Sequence, residues 1–553
     1  EELAANGLGP LAVEISGELT IGAGSLLAYG TESQQSTFLP LVAEGQLMAF
    51  GLTEVGIGVN AKKVRAYVEP DPQLDGGKGG FRLHATGDRN KLWITNATHG
   101  ALVGIVARIG ENGKQVGLFV TRLPERDVTA ADGEDFAFSC VSSNTGVFEA
   151  NFNSRLAFDN YPLRADEQIR ADGVEVLFYC LRMGRCMLAA MSAGYQRMFA
   201  ADAASYATSR AGVGGQVIKH ELPRQHLGRM LGGALQSRAL SWLSLQQDAT
   251  GVDLAGLRDL TKSAAATSAL ESQIAAERVI GGRSFDRDSR VHQARGNMHV
   301  FGVVEGEDDL ILMGMVKDVT DRFTSRYMAG MLSVIQSINV GPDGKPLPPD
   351  QRLLRITPLS LFTEPKRVLT ATGRLLANLS FWKLVLWVLA NLLVELVRLP
   401  LYVVPTQWIP RYQLLPRRLA GYARFAEQRL RWLRFAYLGI NLWFQLELTR
   451  AQIPLQRLGK VIEQLVTMLA LCHHATVNDE SQRRVAALQC EQLRTRVKGT
   501  GLLTGLWQME RLRGLVAAVG DDVEQRRSSL IRAVEPQPFA HPFEPAPAKR
   551  PRQ

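Results

Sequence analysis

The apolar positions of this chain change their period twice. From residue 1 to 46 they recur at three-and-four spacing, which predicts helices down to the turn Tyr29-Gly30-Thr31-Glu32. A further helix, Ser33–Ala43, is expected to stop at Glu44-Gly45. From Leu47 the runs shorten. Met48–Thr53, Lys91–Thr95, Leu102–Ile109, Gln115–Leu123 and Val147–Phe158 are β-prone and separated by Gly, Asp and Asn. They predict a small barrel or sandwich over residues 47–163, with Gly76-Gly77-Lys78-Gly79-Gly80 as a flexible loop inside it. After Pro162 the helical period returns. Gly173–Ala207, His220–Asp248 and Asp259–Ile280 read as a bundle, Gly281-Gly282 breaks its third helix, and Leu310–Val340 is helical again, giving a domain over 164–340. The Gly- and Pro-rich run from Gly341 marks a linker over 341–353, residues 354–535 are helical and basic in parts, and the Pro-rich tail 536–553 is expected to be disordered. The fold class expected is α+β, mainly α.

Composition narrows the partners. A chain of 553 residues with 46% hydrophobic and 21% charged residues is globular and long enough for three or four domains. The net charge of +9 suits an anionic partner: nucleic acid, lipid headgroups or a nucleotide cofactor. No nucleic-acid-binding motif accompanies the charge, so nucleic acid is not expected. Five cysteines without a CxxC fit a reducing compartment. Cys472-His473-His474 has no second ligand cluster near it in sequence, so no metal is expected. The chain opens at Glu1 inside a helical pattern; a preceding segment is expected, and no signal peptide is visible.

Candidate chemistry centres on Val303-Val304-Glu305-Gly306-Glu307-Asp308-Asp309. Glu305 follows two β-branched apolar residues and precedes a glycine. A carboxylate desolvated by apolar neighbours has a raised pKa and becomes a competent base near neutral pH. By itself the heptapeptide also reads as an acid-rich surface turn. Three upstream stretches bear on the choice. Leu52-Thr53-Glu54-Val55-Gly56-Ile57-Gly58 ends a strand in a glycine-rich turn, where backbone amides can approach a phosphate or a flat ring. In Lys91-Leu92-Trp93-Ile94-Thr95-Asn96 the strand period puts Trp93 and Thr95 on one face, suited to cover a planar cofactor or to pack a barrel. Tyr206-Ala207-Thr208-Ser209-Arg210 closes a helix with an arginine placed to bind an anion. Each alone is better explained by packing.

Together these stretches resemble the acyl-CoA dehydrogenase family over roughly residues 20–325. Gly30-Thr31-Glu32 through Leu39-Pro40 is similar to its "yGTeeqk…yLP" helix, Leu52-Thr53-Glu54 with Gly56 and Gly58 to its "LTEPGAGSD" turn, and Trp93-Ile94-Thr95-Asn96 to its "WITN" strand. Arg185, Gly194 and Arg210 stand at the relative spacing of its bundle residues, Gly281-Gly282 resembles its "GGxGY", and Glu305-Gly306 its catalytic "EG". The resemblance implies a core of N-terminal helices, a middle β-domain and a helical bundle, holding FAD. It implies that Thr53, Trp93, Ile94 and Thr95 contact the isoalloxazine and that Gly281 and Gly282 help hold the cofactor. Arg210 would reach the FAD of a neighbouring subunit, hence a homodimer. Arg185 and Gly306 would contact the acyl-CoA, and Glu305 would take the α-proton. The activity implied is dehydrogenation of a long-chain acyl-CoA in β-oxidation, with electrons passing to an electron-transfer flavoprotein or similar acceptor.

Departures from the family pattern fall mostly at the adenine end of the cofactor site. Val55, Val59 and Asn60 replace Pro, Ser and Asp of the turn; Val213-Gly214 replaces Phe-Gly; Glu221 and Arg278 replace glutamines; Ser284 and Phe285 replace the Gly-Tyr of "GGxGY". Beyond Glu305-Gly306, Glu307 and Asp309 replace Thr and Gln. Glu305-Gly306-Glu307 also resembles the "EGEN" of acyl-CoA oxidases, so an oxidase using oxygen is the alternative enzyme, and a non-catalytic scaffold of the same fold is the alternative from another class. In the extension, 381–397 is the most apolar stretch, interrupted by Lys383, Asn391 and Glu395, and is read as too short of the about 18 apolar residues a spanning helix needs. Arg417, Arg418, Arg424, Arg429, Arg431 and Arg434 interleave with aromatic residues and suit an anionic membrane surface. The expected location is the cytoplasm, peripheral on the inner membrane, or the mitochondrial matrix in a eukaryote.

Overall fold

Some helix starts in this chain are set by side chains that accept from the otherwise unpaired first amides. Thr31 caps one with a capping box: its Oγ1 accepts from the Gln34 amide (3.2 Å), and Gln34 Oε1 accepts from the Thr31 amide (3.0 Å). Asp172 caps the longest helix through bonds from the Val174 and Glu175 amides. The computed structural model describes residues 1–58, 61–246, 255–341, 343, 345, 347–348, 360–363, 365–444, 452–499 and 504–538. Val59 and Asn60 lie outside the described residues, as do most of the expected linker and tail.

The chain forms two compact units: Glu1–Thr250 with Thr261–Asp308 and Arg513–Gln553, and Gly251–Leu260 with Asp309–Leu512. The first opens with α1 (Glu2–Ala5), α2 (Gly9–Ser16), a π-helical stretch, α3 (Ala23–Tyr29) and α4 (Glu32–Ala43). Nine strands follow: β1 (Met48–Gly51), β2 (Tyr67–Asp71), β3 (Gly80–Ala85), β4 (Lys91–Thr95), β5 (Leu102–Ile109), β6 (Val116–Arg122), β7 (Ala137–Ser142), β8 (Asn153–Arg164) and β9 (Gln168–Ile169). They make one mixed sheet of order β4-β8-β3-β2-β5-β6-β9, with β1 parallel to β5 and β7 antiparallel to β8. A one-turn α5 (Leu74–Gly77), kinked where Asp75 and Gly76 take positive φ, takes up the start of the expected glycine loop, and Gly80 begins β3. The sheet core is built on Leu83, Leu102, Ile105, Phe119, Leu156 and Phe158, all buried. The bundle helices are α6 (Gly173–Ser209), α7 (Glu221–Leu245) and α8 (Ala255–Ile280), followed by the short α9 (Arg290–Gln293) and α10 (Arg295–Val300).

The second unit contains most of α11 (Asp308–Asn339), then α12 (Ser360–Thr363), α13 (Pro365–Ala377), α14 (Leu379–Val403), α15 (Arg417–Phe444), α16 (Gln452–His474) and α17 (Glu480–Lys498). Met331, Val334, Leu384 and Leu438 form one of its apolar clusters. Its buried Glu491 accepts from Tyr422 (2.6 Å) and Arg494 (2.6 Å) and pairs with Arg511 (3.2 Å). Within α18 (Thr504–Glu524) the chain returns to the first unit, where Arg224 pairs with Asp521 (2.8 Å) and Glu524 (2.6 Å). Past α19 (Ser529–Arg532), the Gln537 amide donates to Asp202 (2.7 Å), so the expected disordered tail begins with residues that are tied down.

Four expectations are corrected. The strand expected over Val147–Phe158 is β8, displaced to Asn153–Arg164, because Val147 and Phe148 belong to a loop bonded to α10. Strands β2, β3, β7 and β9 were not expected; β2 carries Pro70 and two acids, and β3 emerges directly from the glycine run. Trp93 and Thr95 do not follow strand alternation, because the register of β4 against β8 shifts between Lys91 and Ile94 and Trp93 has a φ of 56°. Finally, α14 runs 25 residues, and by length and composition it is apolar enough to cross a membrane; only 11% of its apolar window is buried. The other two helical stretches among the described residues that meet the same measure, Gly9–Tyr29 and Gly173–Ser209, are 44% and 61% buried.

Candidate functional site

Glu305 sits in the turn between α10 and α11 with a φ of 58°, and Gly306 after it has a φ of 108°. A left-handed glutamate is uncommon and costs on the order of 1–3 kcal/mol, so the surroundings must impose it. They do so through the carbonyls. Arg185, buried on α6, donates from Nε (3.2 Å) and Nη2 (2.8 Å) to the Glu305 carbonyl. Lys262, with a fully buried side chain on α8, donates to the Gly306 carbonyl (2.7 Å) and to Asp308 Oδ1 (2.8 Å).

The residue as a whole is half-buried, yet its carboxyl is enclosed, and Oε2 has no hydrogen-bond partner. Burial pushes the carboxyl up to about 7, although Arg185 and then Lys262 pull it down. The carboxyl fits against α6 because residue 184 is glycine: a Cβ there would lie 2.5 Å from Glu305 Oε1. Burial also lowers the Lys262 pKa, which Asp308 counteracts. The group is a desolvated carboxyl, unpaired at Oε2 and poised to exchange a proton near neutral pH, with Arg185 on its own carbonyl and Lys262 on the next one.

On the β-domain side, Thr53 and Glu54 are fastened to β4. Leu92 donates its amide to the Thr53 carbonyl (2.9 Å), and the fully buried Lys91 pairs with the fully buried Glu54 at 2.9 Å. Glu54 also accepts from the Arg65 and Ala66 amides (2.7 and 3.0 Å), and Lys91 donates to the Val106 carbonyl (2.7 Å). Every strong polar group of this buried pair therefore has a partner, the condition under which such a pair is tolerated. Trp93 is 60% exposed and borders a cavity of about 180 Å³ lined also by Ser142, Ser143, Asn144, Thr145 and Arg155. The Ser143 hydroxyl is buried and has no partner. Ile94 is buried in the sheet core.

Thr95 Oγ1 donates to Asn153 Oδ1 (2.7 Å), and this bond begins a polar chain. Asn153 donates to the Phe148 carbonyl (3.3 Å), the Phe148 amide to Asn297 Oδ1 (3.0 Å), and Asn297 to Tyr195 Oη (3.0 Å). The chain joins β4 to α10 and α6, hence the sheet to the helices that bear the Glu305 turn.

The structure thus brings Arg185, Glu305 and Gly306 together, and Thr53 against the strand of Trp93, Ile94 and Thr95. Arg185, the expected acyl-CoA contact, donates to the Glu305 carbonyl. Arg210 ends α6, exposed, and Gly281 and Gly282 close α8, with Gly281 at a φ of 68°; none of the three joins the hydrogen bonds around Glu305. Glu221, which departs from the family pattern, pairs with Arg513 (3.0 Å). Sequence reasoning missed Lys262, Asp308, Gly184, Asn153 and Asn297. For Lys262 there was a signal: a lone lysine inside the apolar stripe Leu260–Ala266 of a core helix, all of which is buried.

The family model for the acyl-CoA dehydrogenase C-terminal domain matches residues 171–319. The mitochondrial very long-chain specific acyl-CoA dehydrogenase of Rattus norvegicus is 25% identical over 311 residues, covering 54% of this chain and 45% of that protein. The short-chain specific acyl-CoA dehydrogenase of Megasphaera elsdenii is 23% identical over 316 residues, covering 57% and 78%. The chain therefore spans under half the length of the very-long-chain relatives it matches. Among solved structures, an acyl-CoA dehydrogenase complexed with FAD from Bacillus anthracis aligns with a TM-score of 0.62 at 14% identity, over 94% of this chain and 84% of that one. Acyl-CoA oxidase 1 of Arabidopsis thaliana aligns with a TM-score of 0.63 at 15% identity, over 94% and 77%. Both alignments show a shared fold that includes the extension.

Proposed function

Because the chain belongs to the acyl-CoA dehydrogenase family, we propose that it removes the α and β hydrogens of an acyl-CoA, with Glu305 as the base that takes the α-proton. The observation that carries this reading is the Glu305 carboxyl: enclosed, unpaired at Oε2 and pushed up to about 7. Such a group is unfavourable in a fold that only scaffolds, and it has the proton affinity that general-base work at neutral pH requires. Arg185 orients the base through the Glu305 carbonyl.

The cofactor is FAD, which supplies a hydride acceptor when bound. The exposed Trp93 and the cavity with the unpaired Ser143 hydroxyl fit a flat, polar-edged ligand. Thr53, Trp93 and Thr95 would hold its ring, and Arg210, Gly281 and Gly282 its phosphates, Arg210 from a second subunit of a homodimer. The hydroxyl proton of Thr95 is already committed to Asn153, so Thr95 serves the ring by fixing the strand. The substrate is a long-chain acyl-CoA, in keeping with the very-long-chain relatives, and an electron-transfer flavoprotein is the acceptor.

The extension places the enzyme on a membrane. α14 exposes Leu379, Trp382, Leu386, Leu389, Leu393 and Leu396, a stripe repeating at three and four residues. Beyond it Val403, Trp408 and Leu414 are 84%, 70% and 86% exposed. Its one buried acid, Glu395, accepts from Tyr402 and Arg434, so a spanning α14 would drag Arg434 of α15 into the lipid. We therefore place α14 in the plane of the interface. Arg417, Arg418 and Arg429 are exposed for anionic headgroups, whereas Arg424 is taken by the Val404 carbonyl and Arg434 by Glu395.

The test is the flavin spectrum under argon. Palmitoyl-CoA should bleach the wild-type flavin and leave that of Glu305→Gln oxidised. Bleaching of both at one rate would remove Glu305 from the mechanism, and peroxide release in air would assign the chain to the oxidases.

A further inference from the structure

We propose that Lys262 is a positioning residue for the base: with Arg185 it clamps two consecutive carbonyls, those of Gly306 and Glu305, and so imposes the left-handed turn that points the carboxyl at Gly184. The inference rests on the reading of Glu305 as the base and adds a residue to it.

The geometry has three parts. Lys262 and Arg185 come from different helices, α8 and α6, and donate to neighbouring peptide groups at 2.7 and 2.8 Å. Two grips on adjacent carbonyls fix the two peptide planes that flank the Gly306 Cα, 305–306 and 306–307, whereas one grip would leave the other plane free to swing. Gly306, at a φ of 108°, supplies the backbone freedom that lets both carbonyls be reached at once. Asp308 Oδ1, 2.8 Å from Lys262 Nζ, keeps the buried ammonium charged and ties it to the first residue of α11. Beyond its ion pair with Asp308, Lys262 places its second bond on the carbonyl of the residue after the base, and that bond couples the buried ammonium to the turn.

The charges that act on the Glu305 carboxyl are Arg185 from α6 and Lys262 from α8, with Asp308 paired to Lys262 and Glu307 on its own segment. Removing the Lys262 charge has two consequences. The turn loses one of its two grips, and the carboxyl loses one of the two cations that lower its proton affinity.

The experiment uses the full chain as FAD-loaded protein. Lys262→Met keeps the side-chain length and removes the charge, and the double variant Lys262→Met/Asp308→Asn removes the stranded carboxylate as well, so that one variant folds if the other does not. Hydrogen exchange of a peptide covering residues 300–310 should rise in both, and stay at the wild-type level in Lys262→Arg. The rate of flavin reduction by acyl-CoA should fall on the order of a hundredfold, the usual consequence of a misplaced reacting group. Its rising pH limb should move to higher pH, while the Kd for acyl-CoA changes little. Unchanged exchange over 300–310 in the double variant would overturn the clamp whatever the enzyme's activity. Unbleached flavin in the wild type would instead overturn the assignment of the base, while the exchange comparison still decides the clamp.

Discussion

Gly184 of α6 and the carboxyl of Glu305 occupy each other's space: a methyl group at 184 would stand 2.5 Å from Oε1 and 3.0 Å from Oε2. The next residue, Arg185, grips the Glu305 carbonyl. Two adjacent positions of one helix thus make room for the head of the base and hold its backbone. Gly184→Ala should therefore displace the carboxyl without unfolding the helix, since alanine is the better helix former. The rate of flavin reduction should drop on the order of a hundredfold. FAD content and the circular dichroism spectrum should match wild type; a rate within twofold of wild type would mean that the carboxyl moves aside during turnover.

The pH dependence follows from burial. With the carboxyl pushed up to about 7, the base is mostly protonated at pH 6 and mostly ionised at pH 8. The anaerobic rate of flavin reduction should rise about tenfold per pH unit below 7 and level off above it. A profile flat from pH 5 to 8 would place the proton acceptor elsewhere.

Stability should run the other way. A folded-state pKa raised from 4.5 to about 7 means that the native state holds a proton the unfolded chain has lost. The contribution is present below pH 4.5 and is lost as pH rises to 7. The shift corresponds to about 3 kcal/mol. Glu305→Gln should thus gain on wild type between pH 5 and pH 8 in urea unfolding, by up to about that amount. An equal difference at both pH values would contradict the buried-carboxyl account.

The Lys91–Glu54 pair makes a separate prediction, because both side chains are fully buried. Lys91→Met leaves a charged Glu54 without its cation, a loss of about 3–5 kcal/mol. It also loosens the turn at Thr53 and the strand of Trp93, so FAD content should fall with it. Lys91→Met/Glu54→Gln should recover most of the stability; no recovery would mean that packing, and not charge, holds the turn.

Vesicle co-sedimentation tests the extension. Wild type should bind anionic vesicles, and binding should weaken with salt. Changing Arg417, Arg418 and Arg429 together to Gln should weaken it by about 1 kcal/mol for each arginine at the surface. Equal binding to neutral vesicles would leave only the apolar face of α14, and binding to neither would return α14 to a protein contact.

Much of this was legible in the chain. β5 matches its expected bounds because Leu102–Ala107 is an unbroken apolar run, buried throughout. α6 runs within two residues of expectation because its apolar stripe is long and its cap, Asp172, is local. Glu305 stood out as an acid among valines. What the chain hid was non-local. The bulge at Trp93 arises from pairing with β8, 58 to 65 residues onward, and no pattern within β4 announces it. Lys262 looked like a single basic position on a helix; its role depends on a turn 44 residues away. The strand expected at Val147 moved because Asn297, 149 residues from Phe148, holds that segment as a loop.

The return of the chain to the first unit at Arg513 makes residues 309–512 an insertion, not an appendage. A stop placed at the expected linker would delete Asp521 and Glu524, the partners of Arg224, and Leu530, whose carbonyl accepts from Arg197. Such a chain would fail through the loss of its own framework, whatever the second unit does. Only excision that keeps both flanks, with residues up to 308 rejoined to those from 513, asks what the inserted unit contributes.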